Sequence, residues 1–188
     1  MKIIMIRHEQ VNMSWRKKNN SITFDQACAQ YDKAPIVSSH EGCPTEKSGE
    51  EVYISELSRT YETASLLFGR QDFYKTALLN EVPLRSFKDT DREYPLWLWF
   101  FMGRLQWFLQ NKRQPECRKE SGRRAEELIQ LLEKRGADCC LVTHGFYLKT
   151  LIRELKKKGY RIRYDNFRAR MLGISNLERI VAEISTEK

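Results

Sequence analysis

Residues 2–8 read Lys2-Ile3-Ile4-Met5-Ile6-Arg7-His8. The apolar residues follow one another without strict alternation, which is the pattern of a strand covered on both faces. A second run of this kind, Asp138 to Thr143, ends at His144 and Gly145. Doubly covered strands are typical of parallel sheets that lie between layers of helices, so this pattern predicts an α/β fold.

The remaining periodicity predicts further strands and helices around these two runs. We expect strands over 51–57, 76–82 and 180–184, and helices over 24–31, 59–68, 95–111, 121–135 and 146–158. Glycines close two of the helices, at Gly69 and Gly136. A chain of 188 residues fits a single domain, 1–188, in which the segment at about 91–117 is a candidate helical cap.

Bulk composition excludes several classes of protein. The 41% hydrophobic and 31% charged residues are typical of an ordered globular chain. No basic leader with a cleavage site and no long apolar stretch is present, so we expect a cytoplasmic protein without a membrane partner. The five cysteines are odd in number and lack the spacing of zinc sites or disulfide frameworks, so we expect most to be reduced and structural.

Four polar side chains occupy comparable positions near the ends of predicted strands. His8 and His144 each follow a buried strand, Arg7 precedes the first of them, and Arg59 lies one turn beyond another strand. The carboxyl ends of strands in open α/β sheets form the edge where ligands bind. We therefore expect these residues to converge on one pocket, with the start of the helix at Gly145 contributing backbone donors.

This set of side chains suits a phosphoryl group. Guanidinium groups bind phosphate oxygens through paired, charge-assisted hydrogen bonds. A neutral imidazole is a competent nucleophile toward phosphorus, and nearby arginines favour its unprotonated form, so His8 could attack at neutral pH. Arg7, Arg59 and His144 could stabilise the charge on the transferring group without a metal or cofactor. A carboxylic acid must protonate the departing alkoxide, and Glu81 is the candidate.

Three motifs resemble those of the histidine phosphatase superfamily, also called phosphoglycerate mutase-like. Ile3 to His8 resembles its opening strand and arginine-histidine signature. Val52-Tyr53-Ile54-Ser55-Glu56-Leu57-Ser58-Arg59-Thr60-Tyr61-Glu62-Thr63-Ala64 is similar to its second motif. Leu141 to Gly145 resembles the third, a strand that ends in His-Gly. Each fragment is common, but their order, spacing and placement at strand ends are specific.

The resemblance implies both a fold and a set of roles. The fold would be a three-layer α/β sandwich with a mostly parallel central sheet flanked by helices. His8 would carry the phosphoryl group, Arg7, Arg59 and His144 would bind phosphate, and Glu81, within Leu79-Asn80-Glu81, would be the general acid. Glu9 stands where the family has glycine, and it is the second candidate for the proton donor.

We therefore expect a metal-independent phosphomonoesterase that acts on a small phosphorylated metabolite. The alternatives are a phosphoglycerate-mutase-type phosphoryl transferase, a phosphoprotein phosphatase, and a non-catalytic phosphate-binding module suggested by Glu9. The motifs do not determine the natural substrate or the oligomeric state.

Two further features bear on the ligand. Trp97, Trp99 and their aromatic neighbours up to Phe108 either pack in the core or form a cap that grips an apolar or aromatic leaving group. The net charge of +8 attracts anions. No nucleic-acid motif accompanies the basic segments, so we expect no nucleic-acid partner and assign arginines such as Arg161 and Arg163 to the pocket rim or to solvated faces.

Overall fold

The computed structural model describes residues 1–37, 51–69, 71–164 and 179–184. Eight strands are present there: β1 (Lys2–Arg7), β2 (Lys18–Asn19), β3 (Glu51–Ile54), β4 (Tyr74–Lys75), β5 (Tyr94–Pro95), β6 (Cys139–Thr143), β7 (Tyr160–Tyr164) and β8 (Arg179–Ile184). Six form the central sheet in the order β4-β3-β6-β1-β8-β7, and β2 pairs with β5. Strands β4, β3, β6 and β1 are parallel, whereas β8 and β7 are antiparallel to their neighbours.

Five helices accompany the sheet: α1 (Ser21–Lys33), α2 (Ser58–Phe68), α3 (Leu96–Phe108), α4 (Arg118–Arg135) and α5 (Gly145–Lys157). Reciprocal bonds begin α1, since Asn20 Oδ1 accepts from the Thr23 amide at 2.9 Å and Thr23 Oγ1 accepts from the Asn20 amide at 3.0 Å. Gly136 ends α4 in a left-handed conformation, at φ 70°. The mostly parallel sheet with flanking helices confirms the predicted fold class.

Alternate residues of β1 enter two separate cores, one on each face of the sheet. Ile3 and Met5 pack in a core that includes α4 and α5 residues, among them Leu128 and Leu151. Ile4 and Ile6 pack with Val52, Ile54, Cys140, Val142 and the α2 residues Ala64, Leu67 and Phe68. The strand is apolar without a break because both of its faces are covered. The sheet is therefore the middle of three layers.

One predicted strand is wrong. The segment Thr76 to Val82 contains a short 3-10 helix, Ala77–Leu79, and no strand. Thr76 Oγ1 accepts a hydrogen bond from the Leu78 amide at 3.2 Å, and the Leu79 carbonyl accepts one from Thr143 Oγ1 at 2.8 Å. These side-chain bonds hold the segment as a turn beside β6, so Glu81 lies in an irregular stretch.

The basic segment at 160–164 forms β7, which the sequence analysis did not predict as a strand. It lies at one edge of the sheet, next to β8. Arg161 and Arg163 therefore lie in a strand at the edge of the sheet opposite β3 and β4. His40 and Cys43 lie outside the described residues, and the other four cysteines are free thiols.

The aromatic helix α3 has two different faces. Trp99 and Trp107 are buried, and the indole N–H of Trp99 donates to the Asn19 carbonyl at 2.9 Å. Trp97 and Phe101 are exposed by 67% and 58%. Core packing therefore describes part of this helix. Within the described residues, no helix combines the length and apolar character needed to cross a membrane.

Candidate active site

His8 lies immediately after β1, at the carboxyl edge of the sheet. Its amide donates to the Thr143 carbonyl at 2.9 Å, which extends the pairing of Arg7 with Thr143 by one bond. Its side chain is 5% exposed. Strand β6 ends at Thr143, and His144 follows it directly. This bond therefore brings His8 beside His144.

The proton on His8 is positioned by a backbone carbonyl. His8 Nδ1 lies 2.6 Å from the Glu9 carbonyl oxygen, which can only accept a hydrogen bond. Nδ1 therefore carries the proton, and Nε2 of the neutral ring keeps its lone pair. Burial lowers the pKa of His8 to about 4, and the positive charges of Arg59 and Arg7 act in the same direction. The ring is neutral at neutral pH.

His144 is a second neutral imidazole, oriented differently from the first. It precedes α5, is fully buried, and its ring centroid lies 5.0 Å from that of His8. Its Nδ1 accepts from Arg59 Nε at 3.2 Å, so its proton lies on Nε2, which donates to Ser55 Oγ at 2.8 Å. Burial, then Arg59 and His8, lowers the pKa of His144 well below its ordinary value.

Arg59 is held by contacts within the protein. It is fully buried near the start of α2. Besides His144, its guanidinium contacts Asp32 Oδ1 through Nη1 at 3.3 Å and Nη2 at 3.2 Å, and the Tyr31 carbonyl through Nη1 at 3.2 Å. These four bonds engage Nε and both terminal nitrogens of the guanidinium. Asp32, which the sequence analysis missed, is therefore part of the site.

Arg7 packs against the first residue of α5. A Cβ built on Gly145 would lie 2.9 Å from Arg7 Nε and 3.1 Å from Cζ, so this close approach needs glycine. Gly145, at the start of α5, thus lets the Arg7 guanidinium pack closely against the helix. This explains the Gly145 of the third motif in physical terms.

Glu81 caps the same helix. Its Oε1 accepts from the Tyr147 amide at 2.8 Å and the Val82 amide at 2.9 Å, and its Oε2 accepts from the Phe146 amide at 3.2 Å. Two amides of the first turn of α5 are therefore taken by a protein carboxylate, which complements the helix dipole. The role of Glu81 as a proton donor stays a prediction.

Arg124 fixes the segment that carries Glu81. Its Nη1 donates to the carbonyls of Leu78 at 3.2 Å and Asn80 at 2.7 Å, while Nε and Nη2 contact both carboxylate oxygens of Glu116 at 3.1 and 3.0 Å. No role at the site was predicted for this arginine. Its position on α4, four residues before the apolar Leu128, does not predict hydrogen bonds to carbonyls so far away in the sequence.

A cavity of about 1300 Å³ opens beside these groups. Among the predicted residues, its lining includes Arg7, His8, Glu81 and Gly145. Arg59 and His144 lie behind His8 and are not among the lining residues. The described lining also lacks Glu9, whose amide donates to Thr63 Oγ1 at 3.0 Å, and it lacks Arg161 and Arg163. Within the described parts of the chain, no group of three or more His, Cys, Asp or Glu could hold a metal ion.

Solved structures share this fold at low sequence identity. One is the product of the open reading frame Rv3214 from Mycobacterium tuberculosis, at 17% identity and a TM-score of 0.54, with 82% of this chain and 79% of that chain covered. Another is phosphoserine phosphatase from Entamoeba histolytica, at 16% identity and 0.53, with 83% and 80% covered.

A third is a putative alpha-ribazole-5'-P phosphatase from Escherichia coli, at 20% identity and a TM-score of 0.51, with 82% and 79% covered. No curated protein matches the sequence. The family model of the histidine phosphatase superfamily (branch 1) matches residues 45–183, about three quarters of the chain. Strand β1 and His8 precede the matched range, and the sheet joins them to it through Thr143. The chain belongs to the histidine phosphatase superfamily.

Proposed function

We propose that this protein is a metal-independent phosphomonoesterase that hydrolyses a small phosphorylated metabolite through a phosphohistidine at His8. The observation that carries the proposal is the 2.6 Å contact between His8 Nδ1 and the Glu9 carbonyl. This contact leaves the Nε2 lone pair of a neutral, cavity-lining imidazole available to attack phosphorus. Because it uses the backbone of residue 9, this contact does not require the glycine that the family has there.

The reaction has two balanced steps. In the first, His8 Nε2 forms a bond to phosphorus, the ester P–O bond breaks, and the alkoxide takes a proton from Glu81 in its protonated, carboxylic acid form. In the second, water attacks the phosphohistidine, the N–P bond breaks, and Glu81 recovers a proton from the water. Arg7 is positioned on α5 to bind the phosphoryl oxygens, while Arg59 and His144 supply charge and orientation behind His8.

A non-catalytic phosphate-binding module is the second candidate. The observation that favours it is the pairing of Arg59 with Asp32, which offsets the positive charge that the first candidate needs from Arg59 during phosphoryl transfer. A cytoplasmic location, and the absence of nucleic-acid and membrane partners, stay predictions.

The two candidates differ in turnover of an aryl phosphate. We expect wild-type protein to hydrolyse p-nitrophenyl phosphate equally with and without a chelator. We also expect His8→Ala to lose activity by about 10³-fold or more, because the nucleophile is removed. His40→Ala is the matched histidine control. Quenching in base and intact-mass measurement should detect a phosphoenzyme that is stable in base and lost in acid.

Phosphate binding by wild-type protein without turnover would support the module instead. Activity that survives in His8→Ala would contradict the assignment of the nucleophile.

A further inference from the structure

An aromatic wall lines the cavity beside the phosphate-binding groups. It is formed by Trp15, Tyr31 and Phe100, with Trp15 at ring-centroid distances of 5.4 Å from Tyr31 and 5.2 Å from Phe100. Resting on the proposed function, we propose that the wall selects phosphate monoesters whose alcohol carries an aromatic ring.

The cavity is too large for a phosphate group alone to fill. Its volume of about 1300 Å³ exceeds the roughly 300–1,000 Å³ of typical small-molecule pockets. Two or three carbon atoms attached to a phosphoryl group would leave most of the wall in contact with water. An aromatic alcohol would cover the three rings and gain the favourable tilted or offset contacts of aromatic pairs.

The wall is held rigid by a second row of rings. Phe24 packs edge-on to Phe100, with centroids 5.7 Å apart, and is stacked on Trp99 at 5.2 Å. Phe24 and Trp99 are fully buried, and the indole N–H of Trp99 is bonded to Asn19. Rings that are already ordered lose little side-chain entropy when a ligand binds, which favours selective recognition.

The wall adjoins the charged and polar groups that lie behind His8. The Arg59 guanidinium lies 5.0 Å from the Tyr31 ring centroid and contacts the Tyr31 carbonyl, and Arg59 is also bonded to His144 beside His8. An ester with its phosphorus at His8 would therefore have its alcohol directed along a cavity that these rings border.

The charges around the cavity favour an uncharged ring over a second phosphate. The lining residues include six carboxylates and five cations, namely Asp25, Asp32, Glu81, Glu116, Glu120 and Glu127, and Arg7, Arg104, Arg123, Arg124 and Lys149. Arg124 is already paired with Glu116. An additional anionic group on the alcohol would meet carboxylates on several sides.

Of the aromatic residues of α3 considered for a cap, Phe100 lines the cavity, and Trp97 and Trp99 do not. Trp97 and Trp99 do not line the cavity, since Trp97 points into solvent and Trp99 lies in the core. Phe100 is the aromatic residue of α3 that reaches the cavity. Successive helix positions point about 100° apart, so neighbouring rings on one helix meet different surroundings.

The test uses two alkyl esters that differ by one ring, propyl phosphate and 3-phenylpropyl phosphate, so that leaving-group reactivity is matched. We expect kcat/KM to be about tenfold higher for the phenyl ester. Phe100→Leu and Trp15→Leu, which keep an apolar side chain and remove one ring of the wall, should each lower the ratio. Trp97→Leu, on the same helix as Phe100 but outside the cavity, should leave the ratio unchanged.

Calorimetry with propylphosphonate and 3-phenylpropylphosphonate separates this inference from the proposed function. Hydrolysis of both esters at equal kcat/KM would overturn the aromatic selection and leave the phosphatase intact. A ring preference in phosphonate binding without hydrolysis of either ester would overturn the phosphatase and support the wall. Equal loss of the preference in the Trp97 variant would also overturn the assignment to Phe100.

Discussion

At the scale of single residues, the site is defined by where its protons and charges lie. His8 and His144 hold their protons on different nitrogens, Nδ1 and Nε2, because a carbonyl faces one ring and a guanidinium faces the other. Asp32, with a side chain 48% exposed, places its carboxylate on the fully buried Arg59. Asp32 lines the cavity, so its negative charge offsets that of Arg59 and opposes an incoming phosphate.

Replacing Asp32 with Asn should strengthen anion binding. The amide carries no negative charge to offset Arg59 or to repel an anion in the cavity, so we expect the inhibition constant for inorganic phosphate to fall about threefold, consistent with an ion pair that is half-exposed. Inhibition of p-nitrophenyl phosphate hydrolysis by phosphate measures this constant.

Asp25→Asn is the matched control, because Asp25 lines the same cavity from the same helix but accepts from the Ser86 amide and hydroxyl at 2.6 and 2.9 Å. Weaker phosphate inhibition in the Asp32 variant would show that this carboxylate acts mainly by positioning Arg59 behind His8, and would contradict the expected gain from removing its charge.

At the scale of elements, the start of α5 is where β1, β6 and the Glu81 segment meet. Arg7 rests on Gly145, and Glu81 accepts from the amides of Phe146 and Tyr147. The same carboxylate thus stabilises the helix and lines the cavity. A substitution at Glu81 therefore changes both the stability of α5 and the chemistry in the cavity. The choice of substrate separates these two effects.

Glu81→Gln keeps an acceptor oxygen for α5 but removes the acidic proton and the charge. We expect kcat for propyl phosphate to fall about 10²-fold, and kcat for p-nitrophenyl phosphate to fall far less, because nitrophenolate leaves without a proton. Loss of the charge at the helix start should lower the free energy of unfolding by about 0.5–1 kcal/mol, measured by urea denaturation. Equal losses of kcat on both esters would indicate that Glu81 acts only by holding α5.

At the scale of the whole molecule, the sheet buries two histidines that must stay neutral. The pKa of His8 is lowered to about 4 mainly by burial, and burial also lowers that of His144. In the unfolded chain, both titrate near 6.5. As the pH falls below 6.5, the unfolded state therefore binds protons that the folded state does not, and stability is lost until the folded pKa is reached.

His8→Gln should make the protein less sensitive to acid. Between pH 7 and pH 4, wild-type protein should lose about 3 kcal/mol of unfolding free energy through His8 alone, and the variant should be spared that loss. Urea denaturation of both proteins at the two pH values measures the difference. The carboxylates titrate in both proteins and cancel in the comparison, so parallel losses would contradict neutral burial of His8.

The sequence by itself determined the features that depend on local pattern. Unbroken apolar runs predicted β1 and β6, and Gly69 and Gly136 predicted the ends of α2 and α4. The histidines that follow β1 and β6 were predicted to converge because parallel strands end at one edge. These inferences hold because strand burial and helix termination depend on residues that are neighbours in the chain.

Tertiary structure alone decided which side chains meet across elements. No local sequence pattern predicts the bond of Asp32 to Arg59 or the capping of α5 by Glu81, which is 65 residues away. Nor does a local pattern predict that Phe100, and not Trp97, lines the cavity. The Thr76–Val82 turn likewise depends on Thr143. Such contacts depend on the rotation and separation of packed elements, and a shift of one residue along a helix turns a side chain by about 100°.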